Sequence, residues 1–541
     1  MHLLNSLIKR ASSHKTEIFL FAAAFFLFFW KLGASHIWDN SEAEYANVAR
    51  EVLNGHFWTL FYNGTQYFTH PPLYYWLSAL SYQFFGISEW SARFVSALFG
   101  FGSVVLTYLT AKKLFDQKIA IASSWIYITM FYPYAIGRIA GLDTLLLFFL
   151  MLTLYFYLLF REFQKLSHLV YFYGSLILAT YAKGPYAFLQ IGMVVGFSLI
   201  WESFKKPKPF KCFLEQILKF KLGWFFIIVL PLAISWYVHQ SFLYGERFIA
   251  QVLGYFGLNR IFGVVQNQTG PIYYYVFVVL LFAFPWTFIL RNALNKLRKR
   301  ADQNFSWRFV TISILSTFIF FSLAGTKLPN YILLIFPFLA MNIALAWQEL
   351  KKISWAEYIL LVLQCVVLIY GFWLLMMERQ NVLSPQVITL VKIFLLILLV
   401  MSLVIIFYFR FGRNQQNKNQ FYLISALGIC FLMGVFTFIL PATNALKHSR
   451  STMLWLKPLV AKGDVVFEVD PTPSFIFYLN HSLQRYAEAK TIDQALKGSQ
   501  RVFVIFRDNH FQDRYQKALK SKYYVLKQED MITIISNRNN K

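Results

Sequence analysis

Acidic residues cluster in one short stretch near the N-terminus, "IWDNSEAEYANVARE", which directly follows a strongly apolar run. It holds Asp39, Glu42, Glu44 and Glu51, although the whole chain has only 25 Asp and Glu against 51 Lys and Arg. A carboxylate can take the proton of an incoming hydroxyl or balance the positive charge on a departing sugar. Because ionisable groups next to apolar segments are often functional, Asp39 and Glu42 are candidate catalytic groups; the alternative is a solvated loop.

Isolated charges recur at the ends of later apolar runs. They are Arg138 and Asp143 in "GRIAGLD", Lys183 in "AKGP", Lys327 beside Tyr331 in "GTKLPNY", and Arg260 in the loop 239–272. Lys and Arg are suited to holding a phosphate. Such cations can also be snorkelling anchors at a membrane surface. We expect these groups and the early acids to line one cavity for a substrate with a phosphate head and a hydrocarbon tail, with Asp143 as a further catalytic candidate.

The segment "YFTHPPLYYW" adds Tyr67 and His70 to the candidate binding residues, and "GTKLPNY" adds Tyr331. The alternative interpretation of the first segment is an aromatic belt at the membrane interface. A single His is not a metal site, since zinc needs three or four ligands in a defined geometry. The three cysteines are far apart and predict neither a disulfide framework nor a zinc site. The spacing therefore predicts no metal, and the need for a cofactor stays open.

The elements that position these residues are predicted to be membrane-spanning helices. The 541 residues are 58% hydrophobic and 20% aromatic, with a mean hydropathy of +0.49. Apolar runs of spanning length predict about thirteen helices within residues 1–440, the first an uncleaved anchor. The net charge of +26 resides in short loops between these runs, so it indicates topology rather than nucleic-acid binding.

Loop charge predicts the orientation. Loops such as "AKKLFDQK" and "RNALNKLRKR" are rich in Lys and Arg and alternate with loops that are poor in them. The positive-inside rule then places the N-terminus in the cytoplasm and puts loops 33–89 and 239–272 outside, together with the tail 441–541. Strand-like "VVFEV" and "RVFVIF", helix-like "TPSFIFYLN" and the hairpin-like "YYVLKQEDMITIIS" predict a small α/β domain for this tail.

The chain resembles the bacterial branch of the protein O-mannosyltransferase-like family, which includes the aminoarabinose transferases of lipid A, in the C superfamily of membrane glycosyltransferases. The resemblance rests on an ordered set of stretches: "SEAEYANVAREVLNGHFW", "YFTHPPLYYW", "EWSARFVSALFGFGSVVLTYLTAKKLF", "GRIAGLDTLLLFFL", "AKGP" and "GTKLPNYILLIFPFLA". It implies a polyprenyl-phosphate sugar as donor, usually undecaprenyl phosphate. It further implies transfer with inversion to a lipid, glycan or protein acceptor at the periplasmic face of the bacterial inner membrane.

Three positions depart from the family pattern. The family's acidic pair Asp-Glu is Ser41-Glu42 here, so Glu42 matches and Asp39 is the nearby substitute. The family's Glu-Lys is Thr69-His70, where the glutamate of some relatives helps to bind a metal and the lysine contacts phosphate. The aminoarabinose enzymes tend to have an arginine where Glu44 stands. These departures favour a different sugar or acceptor.

The sequence therefore predicts a polyprenyl-phosphate-sugar-dependent glycosyltransferase. Asp39 or Glu42 would serve as base, and Arg138, Lys183, Arg260 and Lys327 would contact the donor phosphate. Two other classes of protein stay open. A transporter or lipid flippase would also have many spans and few charges, although transporters usually place charges near the midplane and have repeated halves. A non-catalytic family member acting in envelope assembly would fit the departures at Ser41 and Thr69.

Overall fold

The computed structural model describes the chain except residues 1–13, 40, 253–262, 265–266, 351–353, 358, 365, 368–369, 371–384, 412–416, 447–448, 486–487, 508–510, 512–514, 530–531 and 540–541. The described residues form two compact units. The first unit comprises Met1–Leu32, Phe68–Leu77 and Arg93–Ile439, and the second comprises Gly33–Tyr67, Ser78–Ala92 and Leu440–Lys541. Residues 33–67, which carry the early acids, therefore belong to the same unit as the C-terminal tail.

Helices dominate the chain up to residue 456. Their bounds are α1 Lys15–Phe29, α2 Ser41–Leu53, α3 Leu73–Phe85, α4 Glu89–Leu114, α5 Gln117–Thr129, α6 Phe131–Ile136, α7 Asp143–Phe163, α8 Leu166–Lys183, α9 Tyr186–Phe204, α10 Pro209–Leu218, α11 Leu230–Ile249, α12 Tyr274–Phe282, α13 Leu290–Arg300, α14 Phe305–Leu323, α15 Ile335–Gln348, α16 Pro385–Phe411, α17 Asn417–Gly434 and α18 Ser449–Leu456. A two-stranded hairpin, β1 Phe61–Tyr62 and β2 Thr65–Gln66, follows α2.

Several of these helices are long and apolar enough to cross a bilayer. Within the described residues they are Glu89–Leu114, Asp143–Phe163, Tyr186–Phe204, Leu222–Val252, Phe305–Leu323 and Asn419–Ala442. A seventh is possible if Tyr274–Phe282 and Trp286–Arg300, which are bent by 118° at their junction, count as one span. The predicted class, a helical multi-pass membrane protein, is confirmed.

Helix α15 lies at the centre of the first unit. Every residue from Ile335 through Trp347 is buried. A helix that is apolar on all sides is stable only when other helices cover it. Here α5, α13 and α14 are among the helices that pack against it. This central helix follows the segment 324–334, so it fixes the position of the residues in "GTKLPNY".

The second unit contains a five-stranded sheet, in agreement with the α/β fold predicted for the tail, although the strand Gln484–Arg485 was not predicted. Strands β3 Val465–Glu468, β4 Gln484–Arg485, β5 Val502–Arg507, β6 Tyr524–Glu529 and β7 Ile532–Ser536 lie in the order β4-β3-β5-β7-β6. β3 is parallel to β4 and β5, whereas β7 is antiparallel to β5 and β6, so the predicted hairpin is confirmed.

Helices α19 Pro473–Leu479 and α20 Ala489–Lys497 connect the parallel strands of this sheet. The central strand β5 is buried from Val502 through Phe506, as expected for a strand covered on both faces. Ile492 and Leu496 of α20 pack on it.

Candidate functional site

An ion pair between two neighbouring helices forms the centre of the candidate site in the first unit. Asp143 is the first residue of α7, and Lys183 is the last residue of α8. The two helices are joined by a short turn and pack against each other, so the start of one meets the end of the other. The Lys183 ammonium donates to Oδ1 of Asp143. Each charge also complements the dipole of its own helix end.

The segment Pro329–Ile332 completes the surroundings of this pair. Asn330 donates from Nδ2 to Oδ2 of Asp143 over 3.0 Å, so both carboxylate oxygens accept hydrogen bonds. Tyr331 places its ring 5.9 Å from the Lys183 ammonium, and its carbonyl accepts from the Tyr186 hydroxyl over 3.0 Å. The side chains of Lys183 and Asp143 are 13% and 17% exposed. The pair is therefore shielded but accessible to a ligand.

Gly184 ends α8 directly after Lys183. It has a φ of +107°, and a Cβ added there would approach the Tyr237 hydroxyl to 2.6 Å. Both the backbone conformation and the lack of space require glycine. The glycine thus allows α8 to end where Lys183 reaches Asp143.

Arg138 has its two terminal nitrogens bonded to backbone. Nη1 donates to the carbonyls of Leu27 and Phe28 over 2.7 and 2.9 Å, and Nη2 donates to the carbonyl of Trp30 over 2.6 Å. These carbonyls lie at the C-terminal end of α1, where helix carbonyls have no intrahelical partner. Arg138 is 4% exposed. Its geometry favours capping of α1 over binding of a phosphate.

Lys327 makes a similar arrangement at the end of α14. Its ammonium donates to the carbonyls of Phe321 and Ser322 over 3.0 and 2.7 Å, and also to that of Ala324. The side chain is buried, and burial lowers the pKa of Lys327. Of the cations predicted to bind phosphate that the structure describes, Lys183 is therefore the one paired with a carboxylate rather than with helix carbonyls.

In the second unit, the predicted acids lie at the start of α2, and the helix expected from "EAEYANVAREVL" is confirmed. Glu42 is 1% exposed, and its Oε2 accepts the Trp38 N–H over 2.8 Å. Asp39 is exposed, and its Oδ1 accepts the Ser474 N–H over 3.0 Å. Asp39 is thus the accessible carboxylate of the two, while Glu42 holds the backbone of the turn that precedes the helix.

Glu44 belongs to a buried polar network that continues into the sheet. The Tyr67 hydroxyl donates to Oε1 of Glu44 over 2.7 Å. Burial raises the pKa of Glu44, which this hydrogen bond and the charge of Arg485 oppose. Arg485 donates from Nη2 to the Tyr62 hydroxyl over 2.9 Å, and burial raises the pKa of Tyr62 to about 12. Tyr67 is therefore a hydrogen-bond partner of Glu44. The sequence did not predict this contact.

Glu468 lies at the far side of the same network. Its side chain has no exposed area, and its Oε2 is 3.4 Å from Nε of Arg485, without the geometry of a hydrogen bond. Its Oε1 accepts the Thr472 N–H. Burial raises the pKa of Glu468 to about 7, although the Thr472 hydrogen bond and the charge of Arg485 oppose the shift.

Helix α2 is also bonded to the backbone of α19. Arg50 donates to the carbonyls of Phe477 and Ile476, both over 3.1 Å, and Asn47 donates to that of Pro473 over 3.2 Å. Burial lowers the pKa of Arg50. Because these bonds and that of Asp39 all reach one short helix, the C-terminal α/β fold determines the position of the acidic segment.

The remaining predicted site residues are His70 and Arg260. His70 is partly buried in the bend before Pro71, Pro72 and helix α3, and Arg260 lies outside the described residues. In the described part of the chain, no three His, Cys, Asp or Glu side chains converge as metal ligands. Thr69 stands where some relatives have a metal-binding glutamate, and threonine has no carboxylate to replace that ligand. The described side chains therefore do not fit the metal that the resemblance implies for those relatives.

Sequence reasoning did not single out Asn330, Glu468 and Arg485. Asn330 stands beside Tyr331 in "GTKLPNY", which contains two candidate residues, so its side-chain amide could have been recognised as a further polar group of the site. Glu468 and Arg485 gave no such signal, because more than 400 positions separate them from Glu44.

Comparison with known proteins supports the predicted resemblance. Residues 69–234 match the family described as dolichyl-phosphate-mannose-protein mannosyltransferase. An undecaprenyl phosphate-alpha-4-amino-4-deoxy-L-arabinose arabinosyl transferase from Wigglesworthia glossinidia brevipalpis is 26% identical over 98% of this chain and 92% of its own length. An uncharacterized protein from Aquifex aeolicus is 29% identical, but the match spans 61% of this chain and 63% of that protein.

The fold has a solved counterpart. The crystal structure of ArnT from Cupriavidus metallidurans bound to undecaprenyl phosphate matches with a TM-score of 0.78 and 18% identity, covering 97% of this chain and 99% of that chain. The apo structure of the same protein matches with a TM-score of 0.77. The predicted resemblance is thus confirmed, and the chain has the multi-pass fold of that protein.

Proposed function

We propose that this chain is a membrane glycosyltransferase that transfers a sugar from a polyprenyl-phosphate donor to a lipid, glycan or protein acceptor. The observation that carries the proposal is the Asp143–Lys183 pair, held by Asn330 in a fold shared with a protein solved with undecaprenyl phosphate. The names of the similar proteins support the same donor class.

Lys183 is the residue that we assign to the donor phosphate. An ammonium paired with a carboxylate can exchange that partner for a phosphate oxygen, and a charge-assisted hydrogen bond of this kind is among the stronger ones. Asp143 holds Lys183 in place until the donor binds. Arg138 and Lys327 support the same region by capping α1 and α14.

Asp39 is the carboxylate that we assign as general base. It is exposed, whereas Glu42 is buried and holds the Trp38 N–H. In the transfer step, an acceptor oxygen forms a bond to the anomeric carbon while the bond from that carbon to the phosphate oxygen breaks. The acceptor proton passes to the carboxylate, and polyprenyl phosphate leaves with the bonding electrons. Glu42 is then a positioning residue.

The test is transfer of radiolabelled sugar from undecaprenyl phosphate by the purified chain in detergent, where transport across a membrane cannot contribute. A panel of donor sugars and of lipid, glycan and peptide acceptors identifies the substrate. Asp39→Asn is expected to lower kcat about 10²-fold or more with little change in KM, as for loss of a general base. Glu42→Gln is expected to lower the melting temperature as well as the rate. Full activity of both variants and of the double variant would refute the assignment.

The orientation is a further part of the proposal: the N-terminus is cytoplasmic and the C-terminal domain periplasmic, based on loop charge. A Ser499→Cys variant, with the native cysteines replaced by serine, should react in intact spheroplasts with a thiol reagent that does not cross membranes. Lys208→Cys should not react until the membrane is opened. The reverse labelling pattern would show the opposite topology and contradict the proposed orientation.

A further inference from the structure

A polar cavity of about 630 Å³ lies in the first unit, away from the Asp143–Lys183 pair. Its basic lining residues are Arg161, Lys205, Lys206, Lys219 and Arg308, and its acidic ones are Glu202 and Glu215. Arg161 follows Asp143 by eighteen positions on α7, which corresponds to about 27 Å along the helix axis. That is close to the thickness of the hydrocarbon core, so the cavity lies at the opposite membrane face from the pair.

Part of the positive charge of this cavity is neutralised within the protein. Arg161 pairs with Glu202 over 2.6 Å, and Lys205 pairs with Asp302 over 2.7 Å. Lys206 and Lys219 form no ion pair with any described residue, and both are exposed. The cavity therefore keeps an excess of positive charge that suits an anionic ligand.

Two buried hydrogen-bond donors also belong to residues that line this cavity. Tyr157, which lines the cavity, is 1% exposed, and its hydroxyl has no hydrogen-bond partner in the described part of the chain. Nε of Arg308 is buried and lacks a partner in the same way. A buried polar group without a partner is unfavourable, because it has lost its hydrogen bonds to water. A ligand oxygen in the cavity would satisfy these two donors.

Helix α10 shows what kind of ligand fits. It is amphipathic, and no residue in it is buried. Phe210, Leu214 and Leu218 follow one another at intervals of four and are 78%, 47% and 60% exposed. Its cavity-lining residues Cys212, Glu215 and Gln216 lie on the other side of the helix. Such a helix lies in the membrane interface with its apolar face among acyl chains.

We propose that this cavity binds the phosphodiester headgroup of an anionic phospholipid, whose acyl chains pack beside the apolar face of α10. Lys206 and Lys219 contact the phosphate, and the Tyr157 hydroxyl donates to a headgroup oxygen. The apolar face of α10 distinguishes a lipid from free phosphate. The site is separate from the donor site, and its assignment stands whether or not the proposed transfer reaction is correct.

The experiment is native mass spectrometry of the full-length chain in detergent, titrated with dioleoylphosphatidylglycerol and, separately, with dioleoylphosphatidylcholine. We expect tighter binding of the anionic lipid. Lys206→Gln combined with Lys219→Gln should weaken it about 30-fold, which corresponds to about 1 kcal/mol for each lysine. Tyr157→Phe, which keeps the shape of the side chain, should weaken it about fivefold for one lost hydrogen bond.

The matched control is Lys208→Gln combined with Lys211→Gln, which removes the same charge at exposed residues just before and within α10 that do not line the cavity. It should leave binding of the anionic lipid unchanged. Equal weakening by the control pair would show general attraction to a basic surface and overturn the proposal. So would equal affinity for the zwitterionic lipid, or release of the anionic lipid by 10 mM inorganic phosphate.

Discussion

Each unit of the chain contains a shielded carboxylate–cation pair, and the two pairs differ in how the carboxylate is satisfied. Asp143 in the first unit accepts side-chain donors at both oxygens, from Lys183 and Asn330. Glu468 in the second unit accepts a backbone N–H at one oxygen, while the other faces Arg485 at 3.4 Å without a hydrogen bond. Glu468 has no exposed side-chain area, whereas that of Asp143 is 17% exposed.

This difference separates a pair that can exchange partners from one that supports architecture. Lys183 and Asp143 stand at two helix ends, where a ligand can replace one of them. Glu468 and Arg485 lie opposite each other on the adjacent strands β3 and β4. Arg485 also donates to the Tyr62 hydroxyl, and its charge acts on Glu44. A buried pair contributes little net stability but is costly to break, because the remaining charge stays buried. We therefore expect substitutions in the first pair to affect catalysis and substitutions in the second to affect stability.

The largest effect is expected from Asp143→Asn. The amide keeps the shape but no longer holds Lys183 by charge, so the transfer rate should fall about 10²–10³-fold, as for loss of an electrostatic group in a shielded site. The melting temperature should change little. Asp302→Asn is the matched control, because it breaks an ion pair whose aspartate is 72% exposed. Retention of most of the activity by Asp143→Asn would remove the functional distinction between the two pairs.

Arg485→Met should act on stability instead. It leaves the Glu468 carboxylate buried and unpaired, which lowers the free energy of unfolding by about 3–5 kcal/mol at pH 8. Denaturation of the full chain in detergent measures the change, and Arg507→Met at an exposed strand position serves as control. A rate per folded molecule as low as that of Asp143→Asn would contradict the architectural role.

Glu468→Gln tests the raised pKa of Glu468. The carboxyl ionises near pH 4.5 in the unfolded chain and near pH 7 in the folded one. The folded state thus binds the proton more tightly, and stability is lost as the pH rises from 4.5 through 7, by up to about 3 kcal/mol. The variant should lack this loss when melting temperatures are compared between pH 5 and pH 8. Glu488→Gln, at an exposed residue, should keep the wild-type pH dependence.

The smallest effect is expected from Asn330→Ala. It removes one hydrogen bond to Asp143 and should slow transfer about fivefold, which corresponds to about 1 kcal/mol. Asn304→Ala is a control of similar size, because Asn304 caps α14 by accepting the Trp307 N–H. That variant should lose about 1 kcal/mol of stability without a change in rate. If both variants slow transfer equally, Asn330 has no specific role beside Asp143.

Local pattern predicted the type of several elements but not the number of spans: about thirteen were predicted, whereas six or seven helices of the described residues are long and apolar enough to cross a bilayer. The apolar runs predicted multiple membrane spans, and the spacing in "EAEYANVAREVL" predicted helix α2. The strand-like segment "RVFVIF" and the hairpin-like "YYVLKQEDMITIIS" predicted strands β5, β6 and β7. These features are visible in sequence because apolar periodicity depends only on neighbours along the chain. The order of the five strands was not visible, since it depends on pairing between distant segments.

The residues alone determined that the chain spans a membrane, that its acids gather after the first helix, and that Asp143 and Lys183 are worth testing. The tertiary structure decided what each charge contacts. Arg138 and Lys327 looked like Lys183 in sequence, yet they cap helices, because unpaired carbonyls at helix ends attract any nearby cation. The tertiary structure also decided that Glu468 and Arg485 belong to the network around Glu44. Each is more than 400 positions from Glu44, and only folding brings such distant groups together.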